Sequence, residues 1–216
     1  MHPFYRLSGV VLRTVFRTYF RWSVFHPERV PANGPAILAA NHASFLDPPL
    51  IGSALTRDIH YLARESLFKV PVLGMALKRL NCVPVDRESG GAGLKIILER
   101  LLRGNAILLF PEGTRSLDGR LAPARPGIGL TVIKSAAVVV PLRVFGTFEA
   151  FGRHMRFPAP YPVALKFGSP IGFERLRDEA RTCSKPRLKA IYQEAADEIH
   201  LAIARLEPCE DKFVFP

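Results

Sequence analysis

Between residues 36 and 142 the chain alternates short apolar runs of strand length with stretches of helical character, and this rhythm narrows the possible folds most sharply. AILAA (36–40), IHYLA (59–63), CVPV (82–85), AILLF (106–110) and VVVPL (138–142) read as strands. PPLIGSAL after Asp47, VPVLGMALKRL, GLKIILERLLRG ending at Gly104, and GIGLTVIKSA read as the helices between them. Strands that alternate with helices build an α/β domain whose central sheet is mostly parallel or mixed and is covered by helices. VALKFG (163–168) predicts a further strand, and residues 184–206 predict a C-terminal helix with apolar positions at Leu188, Ile191, Ala195, Ile199 and Ile203. A chain of 216 residues with 48% hydrophobic and 23% charged content suits one domain with a core and excludes bulk disorder.

The first 25 residues differ in kind. They carry Arg6, Arg13, Arg17 and Arg21 and no acid. On a helix these arginines share one face, with Phe4, Val11, Val15 and Trp22 on the other. That pattern predicts a basic amphipathic helix over residues 1–25 lying at a membrane interface, followed by a catalytic domain over 26–216. The arginines recur too often for a spanning helix, and the segment lacks the apolar core and cleavage site of a signal peptide. The formal net charge of +11 points to a polyanionic partner, whether phosphorylated substrate, anionic lipid or nucleic acid. No helix-turn-helix, RNP-type or zinc-finger pattern accompanies the charge, so nucleic acid is not expected. Cys82, Cys183 and Cys209 are widely spaced, which suggests neither a disulfide framework nor a metal site.

Three segments carry candidate chemistry. Asn41-His42 follows the run AILAA and falls at a strand's carboxyl end, where open α/β sheets gather ligands. Asp47-Pro48, five residues on, suits a helix start, but its carboxylate also stands close enough to orient the imidazole as a general base. FPEGTRS (110–116) follows AILLF: Gly113 permits a tight turn and Arg115 presents a planar fork suited to phosphate. VPVDRES places Arg87 after CVPV. Together they describe a site for a phosphorylated alcohol. Ser44 offers a different chemistry, a serine hydrolase or ping-pong transferase, though it lacks the G-x-S-x-G elbow. A non-catalytic module binding nucleic acid or anionic lipid would explain the charge but not these motifs.

N-H-x-S-x-x-D-P followed by F-P-E-G-T-R-S resembles the glycerolipid acyltransferase family, most closely its 1-acylglycerol-3-phosphate acyltransferases. His42 and Asp47 match the family's H-x-x-x-x-D motif, and Arg87 matches the arginine of its second block. Glu112, Gly113, Thr114 and Arg115 fall on the third, and Val140-Pro141-Leu142 resembles the fourth. Asn41 to Leu142 thus holds all four blocks in family order. Where the second block commonly starts with Gly this chain has Asn81, which tolerates the left-handed backbone a turn there would need. The resemblance implies a glycerol-3-phosphate acyltransferase-like fold and transfer of a fatty acyl group from a thioester, acyl-CoA or acyl carrier protein, to a lysophospholipid hydroxyl. It implies His42 as general base, Asp47 as its orienter, and Arg87 and Arg115 as a clamp on the substrate phosphate. Glu112 would fix the glycerol or the arginines. No metal or other cofactor is implied, and the expected location is the cytoplasmic face of a membrane, peripheral or monotopic.

Overall fold

A computed structural model describes residues 3–85 and 92–208. Helix α1 (Pro3–Thr18) precedes a short strand β1 (Ser23–Phe25), and the central strands are β2 (Ala36–Ala40), β3 (Ile59–Arg64), β4 (Cys82–Val85), β5 (Ala106–Leu109), β6 (Val138–Phe145) and β7 (Ala164–Phe167). Among the described residues these form one sheet in the order β1-β7-β6-β2-β5-β3-β4. Every neighbouring pair is parallel except β6 with β7. The sheet is therefore mixed, as the strand-helix rhythm allows. Between strands lie α2 (Asp47–Ala54), α3 (Glu65–Phe68), α4 (Pro71–Arg79), α5 (Ala92–Leu102), α6 (Pro126–Ile133) and α7 (Thr147–Phe151); α8 (Glu174–Ala180) and α9 (Lys185–Ala204) close the chain.

β2 runs through the middle of the sheet, and all five of its residues are shut off from solvent. Side chains alternate across a strand, so Ala36, Leu38 and Ala40 enter one core with Phe16, Leu50 and Ile51, while Ile37 and Ala39 enter the other with Val132, Ile191 and Ile199. The first core is roofed by α1 and α2, the second by α6 and α9. At residue 129 glycine lets α6 lie directly on α9, because a side chain there would run into the Tyr192 carbonyl.

The helix expected over residues 1–25 is shorter than the charge pattern predicts. It stops at Thr18, Arg21 turns the backbone with φ 45°, and Ser23–Phe25 joins the sheet beside β7. Arg13 points into the protein. Its Nε donates to the Ser53 carbonyl at 2.6 Å and its Nη2 to the Leu55 carbonyl at 2.9 Å, which satisfies carbonyls at the C-terminal end of α2 that have no helical partner. Tyr5 and Phe16 are buried and Arg13 is half-buried, whereas Leu7, Val11 and Val15, at helical spacing, face outward. No helix among the described residues is long and apolar enough to cross a membrane.

Candidate active site

β2 and β5 are adjacent and parallel, so their carboxyl ends deliver Asn41-His42 and Phe110-Pro111-Glu112 to the same edge of the sheet. Asn41 prolongs the β2–β6 ladder with its side chain: Nδ2 donates to the Val144 carbonyl and Oδ1 accepts the Val144 N–H at 2.8 Å. The strand's rigidity thereby reaches to the residue before His42.

His42 is held at four points. Its N–H donates to Glu112 Oε1 at 3.0 Å, and its carbonyl accepts the Ser116 N–H at 2.7 Å, so the 110–116 loop grips the His42 backbone from both sides. The ring stacks on Phe110, with centroids 3.8 Å apart and planes 13° from parallel. Nδ1 lies 2.8 Å from Asp47 Oδ2. A carboxylate only accepts, so Nδ1 carries the proton and Nε2 is left as an acceptor, the tautomer a general base requires.

Asp47 occupies the first position of α2, with Pro48 and Pro49 next in the helix. Its carboxylate is buried and turns back from the helix: besides His42, Oδ2 accepts the N–H groups of Ala43 and Ser44 at 2.7 Å each. One oxygen thus shapes the turn and fixes the imidazole. Ser44 is fully buried, its hydroxyl donates to the Phe151 carbonyl at 2.6 Å, and it accepts the Leu46 N–H. That proton is committed to a carbonyl, which leaves the serine badly placed as a nucleophile.

Glu112 is buried beneath the loop, and its second oxygen takes the Ala122 N–H at 3.3 Å. Burial pushes its carboxyl above the ordinary value, against the opposing pull of the two N–H donors. Gly113 has φ 71°, and its N–H closes a turn onto the Phe110 carbonyl at 3.0 Å, so that N–H is spent inside the loop and is not free to steady an oxyanion. Gly113 and Thr114 stand exposed beside Arg115. The Arg115 guanidinium carbon lies 3.4 Å from the centre of the Phe45 ring, which belongs to the turn between His42 and Asp47. Arg115 is thereby tied to the His42–Asp47 turn. Arg87 lies outside the described residues. Asn81 does adopt the left-handed backbone expected of it, with φ 59°, at the turn into β4.

Four residues that hold this arrangement were not singled out from the sequence: Phe45, Phe110, Ser116 and the side chain of Asn41. Cys82 and Cys183 are free thiols, with burial pushing Cys82 up to about 12. No group of three or more His, Cys, Asp or Glu side chains among the described residues could hold a metal ion.

The sequence profile of the family described as Acyltransferase matches residues 21–144, more than half of the chain and the part that contains the whole constellation. This chain belongs to the acyltransferase family. Among relatives of this acyltransferase, the chloroplastic 1-acyl-sn-glycerol-3-phosphate acyltransferase of Arabidopsis thaliana is 32% identical over 133 residues, covering 60% of this chain and 37% of the relative. The enzyme of the same name from Bacillus subtilis is 28% identical over 191 residues, covering 88% and 92%. The chain thus spans little more than a third of the Arabidopsis relative and nearly all of the bacterial one. The crystal structure of the 1-acyl-sn-glycerophosphate (LPA) acyltransferase PlsC from Thermotoga maritima superposes with a TM-score of 0.66 at 25% identity, covering 96% of this chain and 86% of that one.

Proposed function

We propose that this acyltransferase moves a fatty acyl group from a thioester donor, acyl-CoA or acyl carrier protein, to the free glycerol hydroxyl of a lysophospholipid, foremost lysophosphatidic acid to give phosphatidic acid. The observation that carries the reading is His42 locked in the Nδ1–H tautomer by buried Asp47, at the carboxyl end of β2, with Arg115 fastened to the same turn. Nε2 takes the hydroxyl proton as the oxygen attacks the thioester carbonyl. The C–S bond then breaks and the imidazolium returns its proton to the leaving thiolate. A thioester is activated enough for direct transfer, so Ser44 has no step to perform. Arg115, with Arg87 from the segment after β4, clamps the acceptor phosphate, and Gly113 and Thr114 line the approach to it. Glu112 works underneath, through the His42 N–H.

The reaction takes place at a membrane surface, on the cytoplasmic face, with the protein bound peripherally or monotopically. The apolar stripe of Leu7, Val11 and Val15 on the outer side of α1, flanked by exposed Arg6 and Arg17, supports this. Product analysis over a panel of acceptors with both donors tests the reading. Phosphatidic acid formed faster from lysophosphatidic acid than any product from glycerol 3-phosphate or uncharged lysolipids is the expected result. Acylation indifferent to the acceptor phosphate overturns it.

A further inference from the structure

α3 and α4 form a helical hairpin that the rest of the domain scarcely covers. Among their described residues Gly74 alone is buried, where a side chain would strike the Phe68 carbonyl, and α3 buries none. Leu67, Val70, Leu73 and Met75 are exposed, and Val72 is 79% exposed. Nine residues are too few for a helix to be stable in water on propensity alone, and the domain offers α4 chiefly α3 and the edge strand β4 to pack against. A contiguous apolar patch of this kind marks a binding surface.

Charge says what covers it. From Ile59 to Val85 the chain carries Arg64, Lys69, Lys78 and Arg79 against Glu65, and all five are exposed. α1 contains no acid, and the two basic-apolar elements meet where the Arg79 guanidinium lies 5.8 Å from the centre of the Phe4 ring. Aliphatic side chains ringed by cations fit the headgroup and upper acyl region of an anionic bilayer. A second copy of so basic a surface would set like charges against each other.

We propose that the α3–α4 hairpin is a second lipid-docking surface, distinct from α1, which sinks Val70, Val72, Leu73 and Met75 below the headgroups of an anionic membrane while Lys69, Lys78 and Arg79 meet the phosphates. The choice of lipid as partner rests on the acyltransferase reading. Docking here holds β4, the strand that follows α4 directly, close to the membrane surface.

The test compares full-length wild type, Val72→Glu/Met75→Glu and Leu7→Glu/Val11→Glu by co-sedimentation with phosphatidylglycerol–phosphatidylethanolamine vesicles and with phosphatidylcholine vesicles. Burying one aliphatic side chain is worth roughly a factor of ten in binding, so the hairpin variant loses affinity for anionic vesicles by at least about tenfold while α1 is intact. Its circular dichroism and its turnover of detergent-dispersed acceptor remain those of wild type. A folded hairpin variant that binds vesicles like wild type overturns the proposal. So does light scattering that shows the variant dissolving a dimer while vesicle binding stays unchanged. Val72→Trp guards against misfolding of the double variant: its fluorescence is quenched by brominated lipids beyond the quenching of Trp22 in wild type, and equal quenching refutes insertion. Vesicle binding needs no turnover, so a wild-type protein that docks but fails to acylate refutes the enzymatic reading and leaves the docking surface standing.

Discussion

Asp47→Asn separates the orientation of His42 from the packing of its loop. One carboxylate oxygen takes His42 Nδ1 at 2.8 Å and the Ala43 and Ser44 N–H groups at 2.7 Å, in a side chain wholly closed to solvent. An asparagine with its carbonyl oxygen in that place still accepts all three. Its NH2 group then falls where Asp47 Oδ1 sits, a buried position without a hydrogen-bond partner among the described residues. The unpaired amide costs about 1–3 kcal/mol of stability, and the flipped amide, donor against three donors, costs more. The imidazole keeps its place, but the imidazolium formed during transfer loses its neighbouring negative charge. Because a general base supplies about 10²- to 10⁴-fold, kcat should fall by a comparable factor, which at 1.36 kcal/mol per decade is about 2.7–5.4 kcal/mol of transition-state stabilisation. Steady-state kinetics on the detergent-dispersed substrate give kcat, and a urea melt followed by circular dichroism gives the stability. A variant that loses the stability and keeps wild-type kcat refutes the pairing, since Asp47 would then only shape the turn.

Other substitutions probe the surrounding parts. Burial holds the Glu112 carboxyl above its ordinary value of 4.5, so its favourable contribution is complete below that value and is lost as pH rises through the raised one. Glutamine mimics the protonated form; the stability of wild type minus that of Glu112→Gln should therefore fall as pH climbs from about 4.5, and a flat difference between urea melts shows that burial does not govern this carboxyl. Arg115→Lys keeps the charge but loses both the bidentate fork and the stack on Phe45, so KM for the phosphorylated acceptor should rise about tenfold with the donor KM unchanged. An effect confined to the donor would move the clamp elsewhere. Ser44→Ala removes a buried donor and acceptor and should cost about 1–3 kcal/mol of stability while transfer persists, with no acyl adduct in the mass spectrum after incubation with thioester alone. A wild-type adduct on Ser44 would place the enzyme in the ping-pong class.

Six strands were legible because each is an apolar run bounded by turn residues, and the His42–Asp47 pair was legible because both partners sit within one short turn. Ser23–Phe25 was read as helix because three residues leave no periodicity of their own, and the break at Arg21 is a backbone turn that an arginine side chain does not announce. The helical wheel grouped Arg13 with Arg6 and Arg17, but a wheel carries no information about which cation meets the end of α2; that depends on α1 crossing a helix some 40 residues away. The same distance in sequence hid Glu112's hydrogen-bond partner. A polar residue in a Gly-containing loop reads as exposed and substrate-facing, whereas its partner is a backbone N–H 70 residues earlier, brought within reach by the parallel pairing of β2 with β5. The deletion of residues 1–22, which the charge pattern invites as a membrane test, would strip Arg13 from α2 and Phe16 from the core. Substitution of Leu7 and Val11 tests the outer face without that damage.

Direct, His42-dependent acyl transfer is tested by following free thiol and phosphatidic acid together in one reaction of purified protein, thioester donor and lysophosphatidic acid. Thiol and phosphatidic acid should appear in equal amounts, only when both substrates are present, and His42→Ala should lower both at least about 100-fold in a protein that remains folded. Thiol released without acylated product, or a His42→Ala variant as active as wild type, would rule out direct transfer with His42 as the base.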